Sequence, residues 1–181
     1  PELIQQMGRV IAIEASAQGA HIGYGPVLDL ARDPRWSRVE ETYGEDPYLN
    51  GVMGTALVRG FQGETLNDGK SVIATLKHFA SYGWTEGGHN GGTAHIGERE
   101  LEEAIFPPFR EAVGAGALSV MSSYNEIDGN PCTGSRYLLT DILKDRWQFK
   151  GFVVSDLYAV GGLREHGVAG NDYEADIKAV N

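Results

Sequence analysis

Cysteine is nearly absent from this 181-residue chain: Cys132 is the only one. A single thiol excludes an intrachain disulfide framework and a cysteine-based zinc site. Basic residues are in deficit, with 15 Lys and Arg against 25 Asp and Glu and a formal net charge of −10. That balance speaks against a nucleic-acid binder, which needs a basic face to neutralise phosphate. It speaks equally against a polybasic membrane-surface module. No apolar run approaches the ~18 residues of a membrane span. No basic leader precedes an apolar segment, and the chain opens at Pro1 without an initiating Met, so the expectation is that the mature protein extends further in the N-terminal direction. Gly-x-Gly-x-x-Gly after a strand, a P-loop and His-Glu-x-x-His are all missing, which removes the strongest sequence signals for a nucleotide or a metal.

What is plentiful is glycine, 25 residues, in a chain that is otherwise of ordinary globular composition at 41% hydrophobic and 22% charged. Many tight turns or close backbone approaches follow. Apolar positions at three- and four-residue steps predict a helix over 2–18, with Gly19 at its end. Residues 22–29 form a short apolar run, read as a buried strand, and a polar loop follows over 31–44. Asp46-Pro47 is an N-cap with proline in the first turn and predicts a helix to about Phe61. The rhythm then repeats. A strand over 71–76 ends at Lys77-His78, a glycine-rich loop covers 81–97, and a helix covers 98–115 with a kink or restart at Pro107-Pro108. A strand over 117–121, a turn at 128–131, a helix over 135–147, a strand over 152–155 and helices over 158–166 and 172–180 complete the chain.

Four strands that are apolar throughout, alternating with helices, imply a parallel α/β sheet buried on both faces. An open doubly wound sheet and a (β/α)8 barrel compete. A barrel typically takes about 250 residues, so four units would be about half of one.

Chemically capable side chains gather where strands end: Asp29 to Arg38, Lys77-His78, Tyr124-Asn125 and Asp156. In parallel α/β folds that end carries the ligand site. Arg, Lys and His donate to sugar hydroxyls or anions, and an Asp serves as nucleophile or base. Each has a plain alternative. Asp156 could cap the following helix, and Lys77-His78 could be a salt bridge beside a satisfied histidine. Arg35 and Arg38 could belong to a solvated ion-pair loop with Glu40, Glu41 and Glu45. Tyr124 could be a packed aromatic. Trp36 and Trp84 are either sugar platforms or core, and Cys132 reads as structural. An α/β phosphate binder using Arg38 and Lys77 is a further alternative.

Several of these stretches together resemble glycoside hydrolase family 3, of bacterial β-glucosidase and β-xylosidase type. They are Asp33-Pro34-Arg35-Trp36-Ser37-Arg38 with Glu41-Thr42-Tyr43-Gly44-Glu45-Asp46-Pro47, then Lys77-His78-Phe79, Glu98-Arg99-Glu100-Leu101, Met121-Ser122-Ser123-Tyr124-Asn125 and Gly151-Phe152-Val153-Val154-Ser155-Asp156. The resemblance implies that residues 1–181 are part of an N-terminal (β/α)8 TIM-type catalytic barrel. The remaining barrel and a second domain that supplies the acid/base would lie elsewhere, and the segment alone would be inactive. It implies a retaining exo-β-glycosidase acting on terminal β-linked glucose or a related sugar, or else a sugar-binding barrel that has lost catalysis. Asp156 matches the nucleophile that forms a glycosyl-enzyme intermediate. Arg38, Lys77 and His78 match residues that hydrogen-bond the sugar, Met121 and Tyr124 match pocket positions, and His89 lies near a further sugar contact. No metal or cofactor is implied, nor any nucleic-acid or membrane partner, and the expected compartment is periplasmic or secreted. Departures are Leu157, where many members have Trp, and Ser37 in place of Gly. The Lys-His-Phe-Pro-Gly-His-Gly pattern of the β-N-acetylhexosaminidase branch is absent, since Phe79 leads into Ala80-Ser81-Tyr82-Gly83.

Overall fold

The amphipathic spacing of the first segment forms α1 (Glu2–Ala17) in the computed structural model, which describes residues 1–180. The chain leaves it through Gly19, whose φ of 88° lies in the left-handed region that a Cβ disfavours. α2 (Pro47–Gln62) begins as its sequence predicts: the Asp46 carboxylate accepts from the N–H groups of Tyr48 and Leu49, and Pro47 occupies the first turn. α1 lies against α2 at two facing glycines. A Cβ on Gly60 would stand 2.9 Å from the Gly8 Cα and 3.0 Å from the Arg9 nitrogen, so the backbones are in contact.

The described strands are β1 (Ile22–Gly23), β2 (Ile73–Phe79), β3 (Thr93–Ala94), β4 (Ser119–Ser122), β5 (Glu126–Ile127), β6 (Asn130–Pro131) and β7 (Phe152–Ser155). The remaining helices are α3 (Glu98–Glu100), α4 (Phe106–Gly114), α5 (Ala159–Glu165) and α6 (Asp172–Val180). The main sheet runs in the order β1-β2-β4-β7, and every pair in it is parallel. Spatial order therefore follows chain order with no reversal. A doubly wound sheet must reverse at a switch point, whereas monotonic order is that of a (β/α) barrel. The chain is an α/β barrel segment, as expected from the rhythm of its elements.

Several boundaries differ from expectation for identifiable reasons. The apolar run over 22–29 is regular strand only at Ile22–Gly23, because Pro26 has no N–H to offer a ladder. The chain nevertheless tracks β2: Val27 bridges Lys77, and the Leu28 N–H donates to the Lys77 carbonyl at 2.6 Å. β2 itself continues past Leu76 through Lys77, His78 and Phe79, with a register shift between Leu76 and Phe79. The polar pair is thus inside the strand and not beyond it. At Pro107-Pro108 the helix does not stop. A wide π turn, Leu101–Ile105, precedes α4, and both prolines fall in the first turn of α4, where their missing donors cost least. The 135–147 helix is likewise π-type over Tyr137–Arg146. The 128–131 turn closes a hairpin of β5 and β6, with Asp128 and Gly129 both at positive φ, the signature of a type I′ turn.

The core lies between the sheet and the helices on its outer face. Leu28, Leu76, Val58 and Phe61 fill one end. Phe79 packs on Phe109 and Phe106 with ring centroids 5.0 and 5.9 Å apart, and Trp147 closes the cluster. Cys132 is buried there too, and burial pushes its thiol up to about 11, which fits a structural role.

Close approach at Gly60 gives a direct test. Gly60→Ala should destabilise by about 1–3 kcal/mol, the usual cost of overpacking. Gly114→Ala, where an added Cβ meets nothing within 4 Å, should be neutral or stabilise by up to about 0.5–1 kcal/mol. Urea unfolding of the two variants side by side checks this; equal effects would contradict the backbone contact.

Candidate active site

The carboxyl ends of the sheet strands converge on one cavity of about 310 Å³, bordered by Arg38, Lys77, His78, Met121 and Asp156, with Tyr24 and Leu157 at its mouth. That volume lies at the small end of ligand pockets, which run from about 300 to 1,000 Å³.

Asp156 follows β7. Its N–H donates to the Ser122 carbonyl at 3.2 Å, extending the β4–β7 ladder by one bond and fixing the side chain over the strand ends. Its Oδ1 accepts from the Leu157 N–H at 2.7 Å. Its Oδ2 is buried and has no hydrogen-bond partner among the described residues. α5 is flanked by Tyr158 with no side-chain cap, so Asp156 is not that helix's N-cap.

His78 is 1% exposed and stands between two carboxylates. Its Nδ1 is 2.6 Å from Asp29 Oδ2, and its Nε2 is 3.5 Å from Asp156 Oδ2. Lys77 borders the same cavity, and its charge helps lower the Glu41 carboxyl. Arg38 forms a two-pronged pair with Glu41, at 2.6 and 2.8 Å, and its guanidinium lies 5.3 Å from the Tyr82 ring centre. The pair raises Arg38 and lowers Glu41, because each holds the other charged. Arg35 points elsewhere, paired with Asp33 and largely exposed.

Aromatic rings brace these polar groups. Trp36, 2% exposed, meets Tyr82 edge-on at 5.1 Å, and Tyr82 meets His78 at 4.9 Å and Tyr124 at 5.9 Å. Trp36 is therefore core and not a sugar platform. Trp84 is half-buried under the Arg32 guanidinium. Burial, then the charge of nearby Asp156, push the Tyr124 phenol up to about 12. Tyr124 is thus a neutral donor beside the carboxylate throughout the physiological range.

Arg38, Lys77, His78, Met121 and Asp156 come together, and Tyr124 joins them through Asp156. His89 does not. It is exposed on the 81–97 loop and does not border the cavity. Sequence reasoning places Asp29 on the rim but gives it no role, and it passes over Tyr82 and the pairing of Glu41 with Arg38. The available signal for Asp29 was a carboxylate ending an apolar run beside a strand that carries a histidine. No group of three or more His, Cys, Asp or Glu side chains that could hold a metal occurs among the described residues.

The fold and its rim define a (β/α) barrel segment with a carboxylate-centred site at its strand ends. The chain matches the Glycosyl hydrolase family 3 N terminal domain over residues 1–180, and it belongs to that family. It is 39% identical to the periplasmic beta-glucosidase of Salmonella typhimurium, covering 96% of this chain and 23% of that protein. It is 47% identical to a beta-xylosidase of Formosa agariphila, covering 98% and 25%. The beta-glucosidase of Listeria innocua superposes with a TM-score of 0.96 at 40% identity, over 98% of this chain and 25% of that one. That enzyme has also been solved with glucose and, as a mutant, with laminaribiose. The chain thus spans about a quarter of the length of these relatives.

The Tyr124 assignment is testable by alkaline titration. The phenolate difference spectrum between wild type and Tyr124→Phe should stay flat to about pH 11, well past the ordinary tyrosine value near 10. A step near pH 10 would mean that the phenol does not face the carboxylate.

Proposed function

We propose that residues 1–181 are part of the N-terminal catalytic barrel of a retaining exo-β-glycosidase. In this reading they carry the nucleophile and the pocket for the terminal sugar. The observation that carries it is the state of Asp156: a carboxylate at a strand end, with one oxygen fixed by the Leu157 N–H and the other unpartnered in a cavity with Arg38, Lys77 and His78. A nucleophile needs a lone pair free of the protein, and the unpartnered Oδ2 supplies one.

Asp156 Oδ2 attacks the anomeric carbon, and the bond to the leaving oxygen breaks. A proton from an acid outside these residues, on a second domain or a distant loop, goes to that oxygen. A glycosyl-aspartate ester results. Water deprotonated by the same outside group then attacks the anomeric carbon and releases the sugar with retained configuration. Arg38, Lys77 and His78 donate to sugar hydroxyls. Met121 forms an apolar wall, and the Tyr124 phenol stands near the carboxylate as a neutral group. A cavity of this size suits one monosaccharide, which favours exo action. The relatives' names support glucose or xylose as that sugar. A periplasmic or secreted location is supported by the periplasmic beta-glucosidase relative. No described helix is long and apolar enough to cross a membrane.

The test is trapping in the intact enzyme with a 2-fluoro-β-glycoside, glucosyl or xylosyl. Digestion and mass spectrometry should find the adduct on Asp156; a label on another residue overturns the assignment. Asp156→Asn should lower kcat at least ~10³-fold while sugar binding persists. A wild-type protein that binds glucose or xylose but turns over neither aryl glycoside would instead favour a barrel without catalysis.

A further inference from the structure

Asp29 is a carboxylate that the proposed reaction does not use, and it is almost wholly buried at 3% exposure. It sits at the end of the Val27–Leu28 stretch that tracks β2, so the backbone ladder fixes its position relative to His78. Its Oδ2 accepts from the His78 backbone N–H at 3.1 Å and lies 2.6 Å from the ring Nδ1 of the same residue. Its Oδ1 has no hydrogen-bond partner among the described residues, so His78 is the group that the carboxylate serves.

A buried carboxylate is costly unless a donor or a positive charge answers it. An imidazole nitrogen donates only when it carries a hydrogen. At 2.6 Å from a carboxylate oxygen, Nδ1 must carry the hydrogen, because two acceptors repel at that distance. Nε2 is then the nitrogen left to face the cavity, 3.5 Å from Asp156 Oδ2. The ring cannot turn freely, since Tyr82 stands edge-on against it at 4.9 Å.

We propose that Asp29 is a positioning residue: its carboxylate fixes hydrogen on His78 Nδ1 and so presents Nε2 to the sugar and to Asp156 Oδ2. The inference rests on the reading of Asp156 as nucleophile. Asp29 touches neither substrate nor the reacting atoms and acts only through the imidazole, as an orienting acid behind a functional histidine does.

The consequence is a specific pattern of non-additivity. In the intact enzyme, Asp29→Asn should lower kcat/KM for an aryl β-glucoside or β-xyloside about 10²-fold, a loss of the size that misplacing a reacting group produces. In a His78→Asn background the same change should cost less than about twofold, because the residue through which Asp29 acts is gone. Costs that multiply in the double variant would overturn the proposal, since a general packing role or direct sugar contact persists without His78. Nitrogen NMR of the His78 ring is the independent readout and needs no variant: wild type should show Nδ1 protonated, and a bare Nδ1 overturns the proposal even if Asp29→Asn fails to fold. Fluoroglycoside labelling separates the two readings. Label on Asp156 with multiplying costs sinks only the role of Asp29; no label on Asp156 sinks both.

Discussion

Two acids, Asp29 beside β2 and Asp156 after β7, meet one buried imidazole, and the rest of the site follows from that constraint. Asp29 and Asp156 flank a single imidazole, with Nδ1 2.6 Å from the first and Nε2 3.5 Å from the second. A buried carboxylate is costly unless a donor or a positive charge answers it. The fold answers with a buried histidine between them, a lysine beside it and a guanidinium across the cavity. It adds the phenol of Tyr124, which is held neutral partly by the charge it faces. Replacing the histidine by an apolar residue of equal size would leave the buried Asp29 carboxylate without its side-chain partner. The His78–Asp29 pair is therefore a condition of the fold as well as of the proposed chemistry.

Support for the cluster is aromatic and indirect. Trp36 pins Tyr82, and Tyr82 touches both His78 and Tyr124 and lies under Arg38. One ring therefore contacts three of the polar groups at the cavity. Glu41 holds the Arg38 fork from the other side. Loop residues placed by such contacts keep their geometry although the loop itself has little regular structure, which is how a rim built from loops can be as rigid as the strands that carry it.

The alternation of apolar runs with amphipathic segments was enough to expose four parallel strands and the helices between them, because periodicity and burial are local properties. Asp46-Pro47 announced α2 to within a residue for the same reason. Asp156, Lys77 and His78 were legible as a group because each terminates or closely follows an apolar run, and Arg38 through the motif loop that follows another. What was not legible is pairwise. Nothing near residue 29 says that its carboxylate meets a ring 49 positions away, since that contact exists only once β2 and the preceding segment lie side by side. The reach of β2 through Lys77-His78-Phe79 was hidden because a charged pair reads as a strand end, yet here Asp29 satisfies the buried histidine inside the strand. His89 lies away from the cavity, and spacing along a glycine-rich loop, with Gly87, Gly88 and Gly91 at positive φ, carries no direction that would have told this.

The cavity grades from a fixed floor to an open lip. His78, Asp29 and Met121 are each at most 5% exposed, while Leu157 and Tyr158, directly after Asp156, are 71% and 85% exposed. A buried floor is intolerant of change because every atom there has neighbours on all sides. The lip has no such restraint, and substitution on it alters only what lies beyond the bound sugar. In the proposed reaction, recognition of the terminal sugar and recognition of what it is attached to are then separable: the first is built into strand ends that the fold cannot relinquish, and the second falls to exposed residues free to vary.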